Sequence, residues 1–287
     1  MAFSQTFLSA DRDISEILNA LKKAPSGRVY AGTRKNWGRE LYWGNVHLFD
    51  LLPIQRFITV DPWYAFSLNA DLMWDLVVPD QATCRLLNIR HMIAPPRIRP
   101  PDFFRAVLNA GRYTLYETDS GGYFQFGQVA RIIPMSTSSE MLAINRNWLA
   151  GPEPAQSRFS VFEPLGENDS QLEALSKIDV GGDSGSSPPG VVEHETVTPD
   201  SLEANVAVAM RALLVIKLTY HPNWHVTVDG REQHTFMVSP SFIGIEILPG
   251  THLVHAEYRS SKLKNALLLI GCCTLLMTVL LWWWKGF

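Results

Sequence analysis

The chain has 287 residues, 46% of them apolar, which is enough for a sizeable core and excludes a disordered chain. Charged residues make up only 18%, against about 25% in a typical soluble protein, so part of the chain avoids water. A net charge of −3 excludes a nucleic-acid binder resting on a basic surface, and three cysteines cannot build a disulfide framework.

The first residues carry no basic stretch followed by an apolar one, so no signal peptide is expected. Asp11–Ala24 reads as an amphipathic helix, with Ile14, Ile17, Leu18 and Leu21 at helical spacing and Pro25-Ser26-Gly27 as its stop. Asp11, Asp13 and Glu16 fall in its first turn, where acidic residues favour the helix dipole. Arg28–Gly32 predicts a short strand, and residues 33–80, rich in Trp and Leu, predict helices and loops packed on a sheet. Cys84–Ala94 starts like a helix and ends like a buried strand before Pro95-Pro96. Pro100–Ala110 predicts a helix, Tyr113–Glu117 an alternating strand, and Asp119–Gly122 a turn into a strand at Tyr123–Phe126.

Asp179–Gly190 is a Gly/Ser/Pro joint. After it, Ala212–Thr219 is an apolar, β-rich run, and Asp229-Gly230 signals a type I′ hairpin. Phe242–Leu248 and His252–Tyr258 alternate on either side of Pro249-Gly250. Short strands with evenly spaced turns indicate a sandwich. From Ala266 to Trp284 the chain has neither charge nor proline and would span roughly 28 Å as a helix, close to the hydrocarbon core of a bilayer. Trp282, Trp283 and Trp284 suit one interface, with Lys285 beyond them and Arg259, Lys262 and Lys264 at the other end.

The expected fold class is therefore α+β. An N-terminal α/β region covers 1–130, and an irregular connection with the Gly/Ser/Pro linker covers 131–190. An antiparallel β-sandwich over 191–260 and one C-terminal transmembrane helix over 264–285 complete the chain.

Chemistry-bearing patterns are few. Six histidines fall late, at 194, 221, 225, 234, 252 and 255. His221 and His225 have the spacing of a helical zinc pair, but Pro222 and the strand after it would hold them about 13 Å apart on one face, so no metal site is expected. Gly182-Asp183-Ser184-Gly185 imitates a serine-protease nucleophile but lies in the linker, without a positioned base. No phosphate loop or dinucleotide fingerprint occurs, and Asp71/Asp75 form an isolated carboxylate pair, so neither a cofactor nor a catalytic residue is expected.

The aromatic group is more informative. Trp37, Tyr42, Trp43, Trp63, Tyr64 and Trp74 crowd one segment beside Asn36, Arg39, Asn45, His47 and Asp61. Flat rings bordered by hydrogen-bonding groups suit sugar faces, although the same rings also fill cores. Trp37, Trp43, Trp63, Tyr64 and, near the hairpin, Trp224 are the ligand-binding candidates.

Three motifs in order resemble the YfhO-like bacterial membrane proteins. Tyr220–Gly230 (YHPNWHVTVDG) resembles that family's Y-x-P-G-W-x-x-x-V-D-G segment, and Leu248–His252 with Tyr258 is similar to its L-P-A-G-x-H-x-V-x-x-x-Y strand. Upstream, Leu86–Pro95 and Tyr113–Glu117 are similar to two further family segments. Asn223 stands where the family usually has Gly, and Asn tolerates the left-handed backbone.

The resemblance implies a polytopic parent similar to GT-C glycosyltransferases, which move sugar from a polyprenyl-phosphate donor outside the membrane. The acidic catalytic loop of such proteins lies in an early region that this sequence does not contain. The chain then corresponds to an extracytoplasmic C-terminal part with the last helix, accessory to sugar transfer onto an envelope acceptor. Its expected partners are the lipid bilayer, a lipid-linked sugar or envelope glycan, and an upstream polytopic part. The alternative is a single-pass, non-catalytic module that binds a glycan or a protein. Basic residues before the helix outnumber the one after it, which by itself places the body in the cytoplasm. The resemblance places it outside, and that orientation is expected here because earlier helices can set the direction of a last one.

Overall fold

A computed structural model describes residues 11–60, 78–134, 137–163, 188–198, 200–259 and 262–285. The first element, α1 (Arg12–Lys23), lies where the periodicity puts it. Asp11 caps it by accepting from the Ile14 amide, Lys22 and Lys23 close the last turn, and Ile14, Ile17, Leu18 and Leu21 are buried. Each of those side chains contributes about 2 kcal/mol of transfer free energy.

The four-stranded sheet beneath α1 has the order β1 (Arg28–Tyr30), β4 (Ile89–Ala94), β6 (Tyr113–Glu117), β5 (Arg105–Ala110). Between β1 and β4 lie a 3-10 turn at Trp37–Glu40, the small hairpin β2 (Tyr42–Trp43) and β3 (Val46–His47), α2 (Leu48–Ile54) and α3 (Gln81–Leu86). The helix expected over Pro100–Ala110 is instead a strand. Gly111 takes a left-handed φ of 52°, turning the chain so that β5 pairs antiparallel with β6 and completes that edge. Pairing with a strand already in the sheet outweighs the weak helical preference of this short segment.

The region expected to be an irregular connection is ordered where it is described. β7 (Phe124–Pro134) runs into α4 (Ser138–Ala150), which returns the chain to β8 (Arg158–Glu163) parallel to β7. A parallel pair needs such a crossover. Inside it, Trp148 is fully buried, donates from Nε1 to the Arg158 carbonyl at 2.8 Å and packs on Phe159. The serine-protease-like 182–185 stretch and most of the Gly/Ser/Pro joint lie outside the described residues, as do Asp71 and Asp75.

The strands expected to form the antiparallel sandwich over 191–260 divide between two sheets. β11 (Ala212–Thr219), β15 (Phe242–Ile247), β14 (Phe236–Val238), β8 and β7 close into a barrel, so two of its five strands come from before the Gly/Ser/Pro joint. The others form a five-stranded sheet of order β13 (Arg231–Gln233), β12 (Trp224–Val228), β16 (Gly250–Tyr258), β10 (Ser201–Val208), β9 (Gly190–Val197). Side chains of β10, β12 and β16 pack against Leu214, Ile216, Ile243 and Ile245 on the outer face of the barrel. Leu213, Val215, Phe159 and Val238 join the other core. β11 is thus buried on both faces, which explains why its sequence runs apolar without alternation.

The last helix, α5 (Lys262–Lys285), forms across the apolar segment. Among the described residues no helix is long and apolar enough to cross a membrane. For α5 the described side chains are those of 267–279 and 283, a stretch shorter than the about 20 residues a span requires.

Candidate functional site

The four-stranded sheet meets the barrel along a seam of buried cations. Arg28, the first residue of β1, is 4% exposed. Its guanidinium donates to the carbonyls of Leu87 and, at 2.5 Å, Lys217, and it lies over the Tyr123 ring at 5.5 Å. Lys217 is 2% exposed, and its ammonium donates to the Arg85 carbonyl at 2.7 Å. Burial lowers the pKa of both cations, that of Lys217 to about 8, where the neighbouring charge of Arg28 lowers it further. Three carbonyls therefore solvate two charges that water cannot reach.

Glu195 of β9 brings a carboxylate close enough to act on Lys217. Its Oε2 accepts from the amides of Tyr123 (2.9 Å) and Phe124 (3.4 Å). Gly122 makes room for it: at φ 80°, any Cβ there would come within 2.7 Å of the carboxylate. Burial pushes the Tyr123 hydroxyl up to about 12, so it stays protonated, and its Oη has no hydrogen-bond partner among the described residues.

Beside the seam is a cavity of about 240 Å³ whose wall includes Lys22, Ser26, Arg56, His91, Tyr123 and Thr198. His91 is 2% exposed, and burial lowers its pKa, so the imidazole is neutral. Its Nε2 lies 2.9 Å from the Pro25 carbonyl, which fixes the proton there and leaves Nδ1 as an acceptor without a partner. Arg56 holds a left-handed φ of 65°, a strained conformation for a long side chain. Among the described residues the cavity wall contains no carboxylate.

A second polar arrangement joins two of the sequence motifs. Asp229 and Gly230 both take positive φ (51° and 75°), as a type I′ turn requires. Asp229 does more than turn the chain. Its carboxylate accepts from the Leu253 amide at 2.9 Å and from His252 Nδ1 at 2.7 Å, tying the V-D-G turn to β16. Nearby, Asn223 is not left-handed; its amide donates to the Tyr258 hydroxyl at 3.3 Å. The His221 ring lies tilted 5.5 Å from Tyr258, and His225 bonds Glu232 at 2.5 Å. Among the described residues no three His, Cys, Asp or Glu side chains are grouped to hold a metal.

The aromatic candidates among the described residues do not converge. Trp37 is buried, donates from Nε1 to the Ile93 carbonyl at 3.0 Å and packs edge-on against Tyr30. Trp43 is half-buried on the β2–β3 hairpin, beside an open groove with Asn45, Arg12 and Asp13. Trp224 starts β12 in the other sheet, edge-on to Tyr258 at 5.4 Å. Trp63 and Tyr64 lie outside the described residues. Sequence reasoning missed the seam, although one signal was available: Lys217 interrupts an otherwise apolar, doubly buried strand, where a charge needs a dedicated set of acceptors.

The model of the family described as "Bacterial membrane protein YfhO" matches residues 190–270, from the start of β9 into α5. No curated protein and no solved structure matches the chain. Residues 190–270, which contain the Asp229–His252 tie and the strand that leads into α5, are thus similar to the YfhO family of bacterial membrane proteins.

Proposed function

We propose that this chain is the extracytoplasmic C-terminal part of a YfhO-like membrane protein, held at the bilayer by α5 as a single transmembrane helix. In this reading it is a non-catalytic accessory to the transfer of sugar from a polyprenyl-phosphate donor to an envelope acceptor. The observation that carries the reading is the family match, which runs from the five-stranded sheet into α5. The described apolar side chains of α5 support it: Leu267, Leu268, Leu269, Ile270, Leu275, Leu276, Met277 and Val279 are each more than half exposed. A continuous apolar surface of that kind calls for lipid or a partner helix. GT-C-like sugar transfer and the outward orientation follow from the family resemblance. The half-buried Trp43, with Asn45 and Arg12 beside it, is the place where a glycan face would stack.

The test is an immunoblot of native membranes with an antibody against the five-stranded sheet, with and without protease added outside intact spheroplasts. A band several times heavier than 32.3 kDa that the protease removes is the expected result. A band near 32.3 kDa that survives until the membrane is broken would place the body inside and end the sugar-transfer reading. The Trp43 groove favours a second reading, a single-pass glycan-binding module, which predicts a 32.3 kDa band that the protease removes.

A further inference from the structure

We propose that the end of the five-stranded sheet next to α5, built from His221, Pro222, Trp224 and Tyr258, is a second contact with the bilayer. Its rings rest at the headgroup level of a zwitterionic lipid surface and hold the body against the membrane. The contact rests on the reading of α5 as a transmembrane helix and lies outside that helix.

The chain sets the distance. Lys262, which opens α5, follows Arg259 by three residues, a stretch that reaches roughly 10 Å at most. Where α5 enters the bilayer, the last residues of β16 therefore stand close to its surface. Strand pairing brings further residues to the same level. Trp224 lies opposite Tyr258 in the register of β12 and β16, and the Arg259 amide donates to the Asn223 carbonyl at 2.9 Å. The Trp224 amide closes the 221–224 turn on the His221 carbonyl, also at 2.9 Å.

Ring chemistry selects the lipid interface. Tyr258 is 41% exposed, with the His221 ring 5.5 Å away and Trp224 edge-on at 5.4 Å. His221 and Pro222 are exposed and Trp224 is half-buried, so the cluster faces outward. Trp224 and Tyr258 are the only Phe, Trp or Tyr residues in the five strands of this sheet, and both lie at this end. At the opposite end, exposed Asp229 and Arg231 stand beside Leu248. Rings with a polar edge gain most where one side is apolar and the other wet, and charges do not. Arg259 is bound to Glu257 at 3.0 Å and Asp200 is exposed nearby, so the rings hold the contact without an attraction to anionic headgroups.

The experiment uses the whole chain in phosphatidylcholine nanodiscs, with Cys272→Ser and Cys273→Ser in place and the buried Cys84 kept. A nitrobenzoxadiazole label is attached at Pro222→Cys or, for comparison, at Arg231→Cys. Both positions are exposed, and β12 holds them about 17 Å apart. Quenching is read with phosphatidylcholine that carries a nitroxide on its headgroup. The label at 222 should be quenched at least about threefold more than the label at 231. Adding Tyr258→Glu should reduce quenching at 222 about twofold or more, while Tyr258→Trp, which keeps an interfacial ring, should preserve it. Equal quenching at 222 and 231, or quenching at 222 that Tyr258→Glu leaves intact, overturns the proposal.

A label on Cys272 in the Cys273→Ser chain, read with a nitroxide deep in the acyl chains, tests α5 separately. Quenching there without a difference between 222 and 231 removes the second contact and leaves the span. No quenching there ends the spanning helix, and the contact that rests on it falls too.

Discussion

The seam between the first sheet and the barrel keeps its charges dry, whereas the outer sheet keeps them wet. Arg28 and Lys217 are almost wholly buried and rest on backbone carbonyls. On the five-stranded sheet, His225–Glu232, His252–Asp229 and the His255–Glu203 pair are all partly exposed carboxylate–imidazole contacts. The difference lies in what breaking each would do. A buried cation removed from its carbonyls leaves acceptors that nothing else can satisfy, while an exposed pair returns both partners to water. The seam is therefore structurally committed, and the outer sheet is adjustable.

The sharpest way to break that contrast is Arg28→Ala. It orphans the Leu87 and Lys217 carbonyls and should cost about 3 kcal/mol, measured by denaturant unfolding of the full chain in detergent. A loss as small as that of a surface mutation would show that the seam is solvated after all.

Lys217→Met tests the same region through pH. The folded pKa of Lys217, about 8, lies below its ordinary 10.5, so between these values the unfolded chain binds more protons than the folded one. The penalty for the buried charge is complete below pH 8 and is relieved as pH rises. The wild type should therefore gain stability between pH 8 and 10, and Lys217→Met should flatten that rise. Gly122→Ala, which forces a Cβ toward Glu195 at φ 80°, should cost about 1–2 kcal/mol by thermal unfolding.

The smallest effect belongs to the outer sheet. Hydrogen bonding to Asp229 raises the His252 pKa above its ordinary 6.5, and bonding to His252 lowers that of Asp229 below 3.8. His252 thus contributes fully below pH 6.5 and loses its contribution as pH climbs through its raised value. Asp229 contributes above pH 3.8 and loses its share as pH falls. Asp229→Asn keeps the turn, since Asn accepts φ 51°, and removes only the charge. The expected outcome is a downward shift of the His252 pKa in an NMR titration with little change in Tm. An unmoved imidazole would mean that the tie is not electrostatic.

Legibility followed the range of the forces involved. α1 and the Asp229-Gly230 turn were readable because a cap, a periodicity and a pair of left-handed residues are local facts. β5 was misread because its partner β6, not its own composition, decides its conformation. The pairing of β7 with β11 joins distant parts of the chain, and no local pattern in either strand names the other. The cavity was hidden for the same reason, since Lys22, Arg56, His91, Tyr123 and Thr198 come from separate segments. The tryptophans attracted notice by density alone, and Trp37 shows that a crowded ring can belong to the core.

The way β16 joins α5 also bears on how the body takes a pull. β16 is hydrogen-bonded on both edges, to β10 and to β12, and its last residues are pegged by the Tyr258–Asp200 and Arg259–Asn223 backbone bonds. Those rungs stand across the strand, so tension transmitted from α5 along β16 loads them together in shear instead of opening them one after another. The bundle of rungs behaves as a lap joint, and a pull on the body is shared by the whole sheet before any single bond yields.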